Sequence, residues 1–489
     1  MLQNQKKRLI KRTISWKDIF WVASGTATLV LFSMGSIANT IGTPSWIIWL
    51  VSSTIGFLQL FIYTELASMF PDKSGGTSIC GSMALIRYNK FLGVIDIWSY
   101  WFAWSPTFSI GSALAGSYIV ATFFSNTAFA NFSITFVDLS HVLPNTKFSL
   151  NASSLLGILI CLLLVYIQHK GLLKTVKTQF LLALLSIIPI FALGIVPLVI
   201  GKINFINFVP LIPKGTDSWF SKEAFSLVMG SMFIAGWSTY AGELAVCYSS
   251  ECKEPEKDTV YSILSVGILA FFCFTLLPFT FLGVLGVGHL SDTSVVNGDP
   301  QTAILKLAQI TFDADCASLL TLMLVCALLL SINGVIAGTS RTLYQASIDG
   351  FLPKFLGKLN EQGTPVNALW VDFVVNVILI MLGSPIFVLA AASVAYMLSI
   401  SMDLIATWLL RKTHPQLYRP YRAPNFLINV IAPILAFINI AFIIFGANTF
   451  APNALYFGIG MIALVIPIFW YRHYLVDKGI WPQEVSNFL

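Results

Sequence analysis

About twelve apolar runs, each long enough for a helix to cross a bilayer, follow one another along this chain, at 17–41, 45–70, 91–124, 151–168, 172–200, 223–248, 259–287, 316–346, 366–383, 386–410, 426–446 and 454–471. A transmembrane helix needs about 20 largely apolar residues, and in lipid every backbone N–H and C=O must be satisfied within the protein. Helices do this segment by segment, so the pattern predicts an all-α polytopic membrane protein. The runs at 91–124 and 316–346 exceed the bilayer and must tilt or project from it. Composition agrees: of 489 residues, 56% are hydrophobic and 10% charged, where soluble domains carry about 25% charged. Such a length would suit about three soluble domains, but the runs lie too close together for separate globular units. One bundle is expected.

Cationic residues orient that bundle, because cytoplasmic loops near helix ends carry the excess of Lys and Arg. With the N-terminus inside, 23 of the 28 Lys and Arg residues fall on one side. The other side receives only Lys147, Lys202, Lys214, Lys222 and Lys306. Both termini are therefore predicted to be cytoplasmic, in a multi-pass protein of a bacterial inner membrane. The net charge of +6 is dispersed among loops rather than gathered on one face, which speaks against a nucleic-acid partner. Residues 1–17 are basic and lack a short apolar core with a cleavage site, so no cleaved signal is expected. The seven cysteines show no metal-type spacing and predict no disulfide framework. The longest outer loops are expected at 125–150, 201–222 and 288–315, the last with a short helical pattern from Gln301 to Gln309.

One stretch breaks the apolar pattern. Phe233 to Glu243 reads Phe-Ile-Ala-Gly-Trp-Ser-Thr-Tyr-Ala-Gly-Glu, placing small and hydroxylated residues and a carboxylate inside a span. A charge at that depth costs about 2.5–3.5 kcal/mol on insertion scales and ordinarily faces a cavity, a partner or a pathway. Two readings follow: a polar seam against neighbouring helices, or a discontinuous helix whose freed backbone groups line a substrate site. Four further carboxylates within spans bear on function. Glu65 and Asp372 sit near span ends and Asp96 opens the third span, positions that suggest interfacial anchoring. Asp403 lies deeper, fit for a proton route or an interhelical hydrogen bond, and Glu243 is the candidate for a carboxylate whose protonation is coupled to transport.

Enzyme chemistry finds little support. Gly236-Trp237-Ser238-Thr239-Tyr240 has Tyr240 where a nucleophile elbow needs glycine. The five histidines lie in loops or at span ends without zinc-helix spacing, and no phosphate-cradling glycine-lysine loop occurs. No cofactor or metal is expected beyond a coupling proton, a sodium ion or a counter-substrate.

Four segments between spans carry a resemblance. Tyr63-Thr64-Glu65-Leu66-Ala67-Ser68-Met69-Phe70-Pro71 with Ser74-Gly75-Gly76, Glu251-Cys252-Lys253-Glu254-Pro255 with Lys257-Asp258, Ser340-Arg341 with Asp349-Gly350-Phe351-Leu352-Pro353 and Gly363-Thr364-Pro365-Val366-Asn367-Ala368, and Arg419-Pro420-Tyr421-Arg422-Ala423-Pro424 follow in order. Together they resemble the amino acid–polyamine–organocation transporter superfamily. The resemblance implies two inverted five-helix repeats, 17–200 and 201–410, with two extra helices in 411–471 between the terminal segments 1–16 and 472–489. It also implies that the first and sixth helices break near the middle and bind a zwitterionic amino acid there, the exposed helix ends attracting its carboxylate and ammonium groups.

By this resemblance Ser24, Gly25, Thr26 and Thr28 would line one side of the site, and Ala235, Gly236, Trp237, Ser238 and Thr239 the other. Trp237-Ser238 followed by Glu243 is similar to the sixth helix of proton-linked amino acid/amine antiporters, which implies an aromatic lid at Trp237 and a pH-responsive group at Glu243. Tyr100 and Trp101 match an aromatic pair of the third helix. Asn333 is a further wall candidate, with an interhelical hydrogen bond as its alternative. The sequence departs from the family twice: Leu29-Val30-Leu31 stands where the first helix usually has a glycine-serine break, and Ser186 stands where some proton-coupled members have lysine. Coupling would then fall to a proton on Glu243 or another carboxylate such as Asp403, to sodium, or to exchange. A permease for organic cations or polyamines, and a transporter-like nutrient sensor, are the competing expectations.

Overall fold

The computed structural model describes residues 12–124, 127–141, 147–291 and 315–486. Among these, twelve helices run back and forth: α1 (Trp16–Ile41), α2 (Ser45–Ser68), α3 (Lys90–Phe123), α4 (Ala152–His169), α5 (Leu172–Val199), α6 (Lys222–Thr239), α7 (Pro255–Ser291), α8 (Asp315–Ile348), α9 (Val366–Met381), α10 (Pro385–Thr413), α11 (Leu427–Phe450) and α12 (Ala454–Val476). Nine are both long and apolar enough to cross a bilayer. The other three are α3 and α6, which carry more polar residues, and the shorter α9. This is the predicted polytopic all-α architecture, with the helix ends close to those expected.

Local chemistry sets several of those ends. The Ser15 amide donates to the Asp18 carboxylate at 2.8 Å at the start of α1, Asn89 accepts from the Phe91 amide at 2.9 Å at the start of α3, and Asn151 accepts from the Ser154 amide at 2.8 Å at the start of α4. Each satisfies a backbone donor that the first helical turn leaves free.

Three features were not expected. A short buried helix, Thr77–Leu85, lies between α2 and α3. The outer segment expected as a loop at 125–150 contains an antiparallel hairpin, Ser133–Asp138 with Lys147–Asn151, in register Ser133 to Asn151 with an irregularity between Thr135 and Val137. The span read as 223–248 is helical only to Thr239 and continues as a 3₁₀ segment, Ala241–Glu251. The pattern from Gln301 to Gln309 lies outside the described residues.

α1, α8 and α10 are the most enclosed spans, whereas α4, α5, α11 and α12 turn much of their surface outward. Those outward faces bear Leu163, Leu181, Ile188, Phe437, Ile444 and Tyr456, side chains that suit hydrocarbon.

Charged pairs gather on the face that carries both described chain ends. The Thr13 amide bonds the Glu251 carbonyl at 2.9 Å, and Arg12 pairs with Asp72. Lys73 pairs with Asp349 at 2.5 Å, Arg341 with Glu251, and the ring of Trp481 sits 5.1 Å from that of Phe351. Glu65 is buried there, pairing with Arg411 and with Arg419 at 3.2 Å and accepting from the Ala423 amide at 2.8 Å. It ties α2 to the segment after α10. Asp477, just past α12, is held by Arg472 at 2.5 Å and Lys354 at 2.7 Å. Partial burial works to raise its carboxyl, but these bonds and charges outweigh it and hold the group below its ordinary range.

Candidate functional site

α1 does not open in its middle; it tightens. Ser24–Leu29 is a 3₁₀ segment between two α-helical stretches, a geometry with poorer hydrogen bonds that often marks a hinge. Three hydroxyls bond back one turn: Ser24 to the Trp21 carbonyl, Thr26 to that of Ala23 and Thr28 to that of Gly25, each at 2.8 Å. Such back-bonding competes with the regular ladder and bends helices.

The same segment is stitched to α8. Ser331 donates to the Gly25 carbonyl at 2.7 Å, and Thr28 reaches the Ala327 carbonyl at 3.0 Å as well as the Ser331 hydroxyl. Gln179 of α5 donates to the carbonyls of Val22 and Leu330, both at 2.9 Å. Glycine is required at 25 because a Cβ would stand 2.6 Å from the Leu330 carbonyl and the Ser331 nitrogen.

α6 meets α1 through its last two turns. The rings of Trp237 and Phe32 are 6.2 Å apart, Ser238 and Ser33 share a hydrogen bond of 3.2 Å, and Thr239 bonds Ser52 of α2 at 2.7 Å. Trp237 donates to the Ala103 carbonyl at 3.1 Å and lies 6.0 Å from Trp104. Ala235 is buried, and Gly236 lies under Met397 of α10. After Thr239 the winding changes to 3₁₀, and four residues beyond Thr239 comes Glu243.

Glu243 has no exposed surface. Three donors converge on it: Tyr100 at 2.7 Å, the Trp104 indole at 3.0 Å and Tyr396 at 3.1 Å. The two interrupted helices thus touch beside a carboxylate that α3 and α10 grip. Tyr100 and Trp104 are one turn apart and share a face of α3; Trp104 and Tyr396 escaped the sequence reading. The one-turn spacing could have suggested Trp104, whereas Tyr396 offers no local signal.

Trp101 and Ser105 lie on another face of α3 and bond Asp372 at 3.1 and 2.6 Å. Thr339 of α8 supplies a third donor to Asp372 at 2.6 Å. The interfacial role expected for Asp372 is therefore corrected: it is fully buried and joins α9 to α3 and α8, because it sits on the face of α9 that packs against them. Trp101 points to this second carboxylate, away from Glu243. Asn333 accepts from Gln168 at 2.8 Å and donates to Gln179 at 3.1 Å, the interhelical arrangement. Ser186 bonds its own helix at the Leu182 carbonyl, 2.6 Å away.

Asp96 needs the same correction as Asp372. It is wholly buried, accepts from Ser399 of α10 at 2.6 Å and faces Asp403.

A sequence pattern of amino acid permeases matches residues 14–470, nearly the whole bundle. The chain belongs to the amino acid permease family. Among its permease relatives, the lysine-specific permease LysP of Escherichia coli is 24% identical over 66% of this chain, a match that spans 61% of LysP's own length. The glutamate/serine transporter AimA of Bacillus subtilis is 24% identical over 95% of this chain and 83% of its own. The D-serine/D-alanine/glycine transporter of Escherichia coli is 22% identical over 91% of this chain and 89% of its own. The family consists of permeases rather than enzymes, and the amino acid permease pattern covers both 3₁₀ interruptions and Glu243.

Proposed function

We propose that this permease moves an amino acid across the cytoplasmic membrane by alternating access, as proton-linked symport or as amino acid/amine exchange. The observation that carries this reading is the contact between α1 and α6 next to the 3₁₀ segment of each, where the helices meet at Ser33–Ser238 and Phe32–Trp237 close to the buried Glu243. Unwinding Ser24–Leu29 and the turns after Thr239 would free backbone amides for a carboxylate and carbonyls for an ammonium group. Trp237, packed between Phe32 and Trp104, would close over the ligand, and its neighbours are fully buried as expected of an occluded state. The two repeats, 17–200 and 201–410, would rock about this contact. The 23-to-5 partition of Lys and Arg supports cytoplasmic termini.

Counterflow in proteoliposomes tests the proposal. Purified protein loaded with unlabelled amino acids should take up the matching labelled one, and Trp237→Ala should reduce that exchange. Exchange of no amino acid would refute it. One observation favours a second reading: Tyr100, Trp104 and Tyr396 surround a carboxylate, which also suits an organic cation. If only amines without a carboxylate compete, that reading replaces the first.

A further inference from the structure

Nearer the face that carries the chain ends, one turn before Tyr100 in α3 and two turns beyond Tyr396 in α10, Asp96 and Asp403 converge on the short helix Thr77–Leu85. The gap that holds them exists because residue 81 is glycine: a Cβ there would stand 2.1 Å from Oδ1 of Asp403 and 3.1 Å from Oδ2 of Asp96. Both aspartates are 0% exposed. Oδ1 of Asp96 takes the Ser399 hydrogen bond, but Oδ2 of Asp96 and both oxygens of Asp403 have no hydrogen-bond partner. The Thr77 hydroxyl, also buried, faces Asp403. Glu243 differs, since protein donors hold both of its oxygens.

The titratable groups facing the pair are Tyr63 of α2, Cys80 of the short helix and Glu243 of α6. None of these supplies a positive charge. Lys73, which precedes the short helix, is paired with Asp349 at 2.5 Å, Arg411 with Glu65, and among the described residues neither aspartate forms an ion pair with Lys, Arg or His. Two adjacent carboxylates cannot both stay charged in a medium that neither solvates nor neutralises them, and they settle by sharing a proton.

We propose that Asp96 and Asp403 form a proton-binding dyad, a carboxyl paired with a carboxylate, that carries the coupling proton of this permease. A proton from water on one side of the membrane adds to a free carboxylate oxygen, forming an O–H bond that the facing carboxylate accepts. Release breaks the same bond and gives the proton to water on the other side, so no other reactant is needed. The assignment of coupling rests on the transport reading above; the presence of the proton does not.

Three measurements test it. In infrared difference spectra of the purified protein, a protonated-carboxyl stretch should titrate with pH, shift in heavy water and be lost in Asp96→Asn/Asp403→Asn; identical spectra in wild type and variant would overturn the dyad. An apolar carbodiimide, which attacks protonated carboxyls, should label Asp96 or Asp403 of the wild-type protein at acidic pH and label it less at alkaline pH. This needs no variant to fold, and absence of label at both positions counts against the proposal.

In proteoliposomes, Asp403→Asn should lose accumulation driven by a pH gradient while keeping counterflow. Unchanged driven accumulation would overturn the coupling role, and Asp403-dependent thermal stabilisation by sodium over choline would replace the proton with a metal cation. If no amino acid is exchanged by wild type, the transport reading fails, while the spectra still decide whether the proton is there.

Discussion

Tyr100 of α3 donates a 2.7 Å hydrogen bond to Oε2 of Glu243, a residue 143 positions later in the chain. With Trp104 and Tyr396 on the other oxygen, the carboxylate clamps α6 to α3 and α10 at the point where its winding changes. Removing one donor should cost less than removing the acceptor. Tyr100→Phe should lower stability by about 1 kcal/mol, whereas Glu243→Ala strands three buried donors at about 1–3 kcal/mol each. Unfolding of both variants in detergent checks the order, and equal losses would mean that Glu243 does not organise the cluster.

Close approach of α1 to α8 depends on the missing side chain at position 25. Gly25→Ala drives a methyl against backbone atoms 2.6 Å away, and backbone cannot rotate aside as a side chain can. A loss of about 1–3 kcal/mol is expected. Gly460→Ala is the control, having nothing within 4 Å of its added Cβ, and it should be neutral or slightly stabilising in the same thermal-unfolding measurement.

Glu65 is the common partner of two arginines, with side chains 0%, 7% and 6% exposed for Glu65, Arg411 and Arg419. Taking away the shared anion leaves two buried cations together. Glu65→Ala should therefore destabilise by about 3–5 kcal/mol, and Glu65→Ala/Arg411→Ala by less than the sum of its single changes. A double-mutant cycle on detergent-solubilised protein measures this; strict additivity would remove the pair from the stabilising set.

The Asp477 carboxyl lies below its ordinary value of 3.8 because Lys354 and Arg472 hold its charged form against the effect of burial. A lowered folded value means that its stabilising contribution is complete above the ordinary carboxylate range and is lost as pH falls through the lowered value. Asp477→Asn should thus be less stable than wild type at neutral pH, and the difference in unfolding midpoint should close on acidification. A gap that stays constant with pH would show that Asp477 contributes through packing alone.

Run length and hydropathy were sufficient, read from sequence, for a polytopic helical bundle with its helix ends nearly in place, and Phe233–Glu243 stood out as polar residues in an apolar span. These quantities are local: a stretch of about 20 residues either can or cannot shield its own backbone in lipid. The resemblance pointed to Ser24, Gly25, Thr26 and Thr28 as one side of a break, but their 3₁₀ winding came only with the fold, as did the outer hairpin.

Tertiary structure alone decided the depth and company of each carboxylate. Asp96 and Asp372 look interfacial by their distance from a span end, yet packing against neighbouring helices buries both. Tyr396 reaches Glu243 across 153 positions. Which face a helix turns inward, and which side chain meets it from another helix, depends on rotation and packing between spans. No periodicity within one span encodes that choice.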